Sequence, residues 1–135
     1  MRAAVSSLLL ASLLALPAAA SAVPATLHLS AAVYDVHESK GGVIYSEEVV
    51  SQGTKPVGED SSRCTPTSNG AFHCVGSYDL THGTLRFAGM IPNSGGDKNR
   101  LTVTGGTGAY KGARGMVTTE YNKAGDKAKE TITFR

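Results

Sequence analysis

Asp35 and His37 are the pair of side chains whose types and spacing could do chemistry together. They close a segment, Thr26 to His37, in which Leu27, Leu29, Ala31 and Val33 share one parity and Asp35 and His37 continue it. In an extended chain, residues two apart lie on one face. That face therefore turns from aliphatic to ionisable at its C-terminal end. A carboxyl set among aliphatic groups is costly to ionise and holds its proton to higher pH. With an imidazole beside it, such a group inside a cavity can donate, accept or orient a proton. The bland alternative puts both side chains at a solvated rim. Arg114 shares parity with Met116 in a later run.

Cys64 and Cys74 offer a different chemistry. The spacing is not the C-x-x-C of a redox dithiol, and two cysteines without a histidine pair at finger spacing make a poor metal site. An even cysteine count in an exported chain reads as a disulfide, and neither a metal nor a cofactor is expected. There is no G-x-S-x-G elbow and no Walker loop. Gly105-Gly106-Thr107-Gly108 follows a short strand, but the residues after it keep strand parity. A phosphate-binding helix N-terminus is therefore lacking, and these glycines read as backbone geometry.

The elements that must position these residues begin after a leader. Arg2, the apolar run Leu8 to Leu16, the breaker Pro17 and the small residues Ala20-Ser21-Ala22 follow the three-part grammar of a secretory signal. The run is too short to span a bilayer, which needs ~20 residues. Residues 1–22 are thus expected to be removed on export, leaving residues 23–135 as one extracellular or periplasmic domain without a membrane span. The formal charge is +2 with the leader present, and lysine and arginine are scattered. Nucleic acid, which calls for concentrated basic charge, is not an expected partner.

Helical periodicity is almost absent, and 16 glycines punctuate short runs of period two. This predicts an antiparallel all-β domain. Strands are expected at 26–37, at 43–50, in a hairpin 64–80, and at 84–91, 101–104, 113–121 and 130–134. Gln52 to Ser62, containing Pro56 and Gly58, reads as a loop, and so does Asn93 to Lys98. In the hairpin, Cys64 facing Cys74 makes Thr67 face Ala71 and leaves Ser68-Asn69-Gly70 as the turn, with Gly70 free to take the left-handed position. Seven or eight short strands fit a small closed barrel. Leu27, Leu29, Val33, Leu85, Phe87, Ile132 and Phe134 are the candidates to line its interior.

Three stretches resemble known proteins. Val33-Tyr34-Asp35-Val36-His37-Glu38 resembles the valine-tyrosine-glutamate-isoleucine-asparagine-glutamate stretch on the first strand of plant allene oxide cyclase. Val57-Gly58, with Cys64 following, resembles that family's valine-glycine and barrel cysteine. The run Leu101 to Gly115, with Gly105-Gly106-Thr107-Gly108-Ala109-Tyr110 and Ala113-Arg114-Gly115, is similar to its glycine-rich motif. It is closer still to that of dirigent proteins and of bacterial allene oxide cyclase-like domains. The resemblance implies an eight-stranded, calycin-type antiparallel barrel with an apolar cavity, assembling as a dimer or trimer. It also implies a hydrophobic small-molecule ligand and an isomerase-like activity, stereoselective cyclisation or coupling.

Carried onto this chain, the resemblance puts Asp35 at the position of the cyclase glutamate that meets a developing cation. It puts His37 at the asparagine position, Cys64 at the cysteine position and Arg114 at the arginine of the dirigent motif. The chain departs from the cyclases in several ways. It is shorter between His37 and Val57, and the proline and second asparagine that hold a water on the epoxide have no counterpart. Asp35 is one methylene shorter than glutamate, and Cys64 is expected to be oxidised. Three readings follow: a secreted barrel that steers a cyclisation or coupling, a carrier using the same cavity, and a protein-interaction module whose barrel is packed shut.

Overall fold

The computed structural model describes residues 23–92 and 98–135; the expected leader and most of the Asn93–Lys98 loop lie outside them. Eight strands run in sequence order: β1 (Thr26–Glu38), β2 (Ile44–Gln52), β3 (Lys55–Pro66), β4 (Phe72–Leu80), β5 (Gly83–Ile91), β6 (Lys98–Gly106), β7 (Gly115–Tyr121) and β8 (Lys127–Phe134). Each pairs antiparallel with the next, and β8 pairs with β1 to close the barrel. Closure leaves no open sheet edge. Among the described residues no helix is long and apolar enough to cross a membrane.

Two differences from the sequence reading decide what the interior contains. First, β1 carries a bulge: Val33 pairs with Glu48 and Asp35 with Glu47, leaving Tyr34 without a partner of its own. One extra residue shifts the side-chain alternation by one position. Leu27, Leu29, Ala31 and Val33 face inward as expected, but beyond Tyr34 it is Val36, exposed at the cavity opening, and not Asp35 or His37, that joins the lining. Second, the segment expected as the Gln52–Ser62 loop is mostly strand β3, reached by a tight turn at Gly53 and Thr54. Its inward parity reads Asp60, Ser62, Cys64. Polar side chains made it look like a loop, whereas they line a polar part of the interior. Pro56 is accommodated where the β2–β3 register shifts between Val50 and Ser51.

The hairpin register is as expected. Cys64 pairs directly with Cys74 and is bonded to it, the Thr67 amide donates to the Ala71 carbonyl at 2.8 Å, and Gly70 has φ of +84°. A bridge across a sequence separation of 10 restricts the unfolded chain over a short loop. Its removal by reduction, or by replacing both cysteines with serine, is expected to lower stability by about 2–3 kcal/mol without unfolding the barrel. Urea midpoints with and without reductant check this.

One end of the barrel is solid. Leu27, Leu29, Val50, Leu85, Val103, Val117 and Ile132 fill it, and Tyr110 on the short 3-10 turn Gly108–Tyr110 packs against this cluster. Leu27, Leu29, Leu85 and Ile132 are therefore plug rather than cavity lining. Phe134, half-buried, stacks on Tyr110 with ring centroids 6.1 Å apart. Val33 and Phe87 are the two expected lining residues that reach the cavity.

Candidate functional site

The other end of the barrel is hollow. A cavity of about 470 Å³ opens between Val36, Ile44, Ile91, Asn99 and the β7–β8 turn at Asn122–Gly125, with the Cys64–Cys74 bridge in its wall. Its apolar upper walls give way to an acidic floor made by Glu48 on β2, Asp60 on β3 and Glu130 on β8, which are 2%, 5% and 3% exposed. Strand register brings them together. Glu48 is directly opposed to Asp60, Asp60 to Tyr78 on β4, and Thr119 on β7 to Glu130. Carboxylate oxygens from the three residues lie within 4.8 Å of one another. That is close enough for protons to be shared and for one cation to be bridged by hard oxygen donors.

The hydrogen bonds fix half of each glutamate. The Tyr78 hydroxyl donates to Glu130 Oε1 at 3.0 Å, with Thr119 Oγ1 at 3.4 Å. Tyr121 donates to Glu48 Oε1 at 2.8 Å and Ser46 at 3.3 Å. Oε2 of Glu48 and Oε2 of Glu130 are buried without a partner. Three carboxylates cannot all be ionised this close together out of water. Burial first, then the charges of Glu130 and Glu48, push the Asp60 carboxyl up to about 9. Burial and then Glu48 push Glu130 up to about 7. Burial raises Glu48 too, against the lowering effect of its bonds from Tyr121 and Ser46. The cluster therefore keeps protons to higher pH than ordinary carboxyls do, which suits groups that exchange protons near neutrality.

The residues expected from sequence to do chemistry lie elsewhere. Asp35 and His37 are exposed on the outer face, where the His37 ring donates to or accepts from Asp35 Oδ2 at 2.9 Å and stacks on Tyr45 with centroids 5.0 Å apart. Arg114 precedes β7, is exposed, and donates to the carbonyl of Ala113 at 2.7 Å; it sits at the plugged end, away from the cavity mouth. The three are not brought together. The acidic floor went unread, although parity carried a signal for two of its members. Glu130 shares parity with Ile132 and Phe134, and Asp60 shares parity with Cys64.

The family model for the allene oxide cyclase barrel like domain matches residues 31–134. The chain belongs to the allene oxide cyclase barrel-like family. No curated protein matches the sequence significantly. Among solved structures, this family member resembles a pyocyanin demethylase with a TM-score of 0.71 at 20% identity, the alignment covering 82% of this chain and 99% of that one. It resembles a pterocarpan synthase dirigent protein with a TM-score of 0.63 at 18% identity, covering 81% of this chain and 84% of the other. At these identities the likeness is one of fold. The barrel expected from the glycine-rich motif and the strand pattern is thus shown, while the residues that work inside it are to be read from this member's own cavity.

Proposed function

We propose that the protein is an exported barrel that binds a hydrophobic small molecule in its cavity and steers a proton-assisted cyclisation or coupling of it. The observation that carries this reading is the cluster Glu48–Asp60–Glu130 at the floor of an open cavity whose walls include Val33, Val36, Ile44, Phe87, Ile91 and Leu101. Protonated Asp60 is placed to donate to a substrate oxygen as it leaves or gains charge. Glu130, oriented by Tyr78 and Thr119, is placed to stabilise the developing positive charge or take up a proton. The walls hold the reacting chain in one folded conformation, an effect worth several kcal/mol when geometry is right. The two structural neighbours are named a pyocyanin demethylase and a pterocarpan synthase dirigent protein, which supports small-molecule chemistry over an interaction module. A carrier would need the apolar walls but not the acids.

The test uses two uncharged reactive probe classes, the methyl ester of a fatty-acid allene oxide and quinone methides generated in situ, with chiral chromatography of the products. The wild type is expected to give an enantiomeric excess. Asp60→Asn and Glu130→Gln should lower the accelerated rate by about 10²-fold or more, whereas Asp35→Asn leaves it unchanged. Racemic product from the wild type with every probe, or a loss confined to Asp35→Asn, would overturn the reading.

A further inference from the structure

The cavity's composition says more about its ligand than that it is apolar. The floor presents three carboxyl groups from three strands, and among the described lining residues Lys123, on the exposed β7–β8 turn at the rim, is the one basic side chain. Two carboxyl oxygens, Oε2 of Glu48 and Oε2 of Glu130, are buried without a donor. Aromatic rings stand at the same depth: Tyr78 and Phe87 are 5.1 Å apart between centroids, and Tyr121 joins them in the lining. Carboxyl oxygens with aromatic rings are what recognise a cationic nitrogen. A bare metal ion would use the oxygens and leave the aromatic and aliphatic walls idle.

We propose that the cavity's ligand is an apolar organic cation, a protonated or alkylated nitrogen carried on a ring system, with the nitrogen seated between Glu48, Asp60 and Glu130 and the hydrocarbon body against Phe87, Ile91 and Leu101. This rests on the reading of the cavity as a small-molecule site and narrows its ligand class. The nitrogen supplies the charge, and where it bears hydrogens the donors, that the two orphaned oxygens lack. The body fills the space above them. Because burial and mutual repulsion keep protons on these carboxyls, seating a fixed positive charge among them expels one, so binding releases a proton to solvent. The groups facing the seat are Glu48 from β2, Asp60 from β3, Tyr78 from β4, Tyr121 from β7 and Glu130 from β8, with Lys123 at the rim. All but Lys123 are neutral or negative, so none opposes a cation at the floor.

Three matched probes separate the possibilities: 1-naphthylmethylammonium, 1-naphthalenemethanol and 1-naphthoate, titrated calorimetrically at pH 7.5 in two buffers of different ionisation enthalpy. The ammonium is expected to bind at least 10-fold more tightly than the alcohol, with buffer-dependent heat reporting proton release, and the carboxylate more weakly than either. In Asp60→Asn and Glu130→Gln the preference for the ammonium should fall several-fold while alcohol binding persists, which shows that the variants are folded. Equal binding of alcohol and ammonium without proton release overturns the cation inference and leaves the small-molecule cavity standing. Failure of all three probes counts against both. Displacement of the ammonium by sub-millimolar Ca²⁺ or Mg²⁺ would assign the floor to a metal and likewise overturn it.

Discussion

Asp60→Asn will stabilise the barrel in alkaline solution and leave it nearly unchanged in acid. In the unfolded chain the Asp60 carboxyl loses its proton near pH 4. In the barrel, burial and the charges of Glu130 and Glu48 keep that proton on until about pH 9. Between those limits the folded state binds more protons than the unfolded one, so raising the pH favours unfolding. The contribution is fully present below the unfolded value and is lost as pH rises through the folded value. Glu130, raised to about 7 by burial and Glu48, acts in the same sense over a narrower window. Asparagine cannot ionise and escapes the penalty. At pH 8.5 the variant should gain on the order of 5 kcal/mol, which is more than about 10 °C in melting temperature, and at pH 4 the two proteins should melt within a few degrees of each other. Melting curves of both proteins from pH 4 to 9 check this. It also places the site on the familiar trade between stability and activity, since the same substitution is expected to remove the chemistry.

Gly76→Val will do the reverse, damaging both fold and cavity. Gly76 sits on β4 opposite Phe87, between the inward-facing Cys74 and Tyr78. A Cβ added there would overlap the Phe87 ring and the Ser61 carbonyl oxygen. The missing side chain is what lets Phe87 lie across the interior at the boundary between plug and cavity. One of the overlapped groups is backbone, so it cannot swing aside. Overpacking of this kind costs about 1–3 kcal/mol, and a β-branched residue against a strand backbone belongs at the upper end. The expected result is a loss of about 3 kcal/mol in urea unfolding together with loss of binding by the neutral naphthalene probe. A variant that keeps both stability and binding would show that Phe87 has another way to lie.

The outline of the barrel was legible because period-two alternation, glycine punctuation and cysteine spacing are local signals. The Cys64–Cys74 register followed from an index sum, and the turn residue Gly70 agreed with it. Two features were not legible, each for its own reason. Alternation assigns faces only relative to a starting point, and a single bulge resets it. Tyr34 has no sequence mark that distinguishes it from a regular strand residue, yet it moves Asp35 and His37 to the outside and Val36 to the inside. In β3, polarity was taken for solvent exposure. A barrel that encloses a cavity needs polar inward residues, so Asp60 and Ser62 mimic a loop while lining the interior. Glu130 was within reach, since it keeps the parity of Ile132; Glu48 shares a face with the buried Val50, but the apolar pattern of β2 is too weak to mark that face as inward.

The working acids proposed for this barrel are Glu48, Asp60 and Glu130 at the cavity floor, and Asp60 keeps its proton at neutral pH. Carbon-13 NMR titration of the aspartate and glutamate carboxyls, assigned through Asp60→Asn, Glu130→Gln and Glu48→Gln, measures this directly. The Asp60 signal is expected in its protonated position at pH 7, and the Glu130 signal is expected to move near neutrality. Three floor carboxyls that all ionise below pH 5 would contradict it.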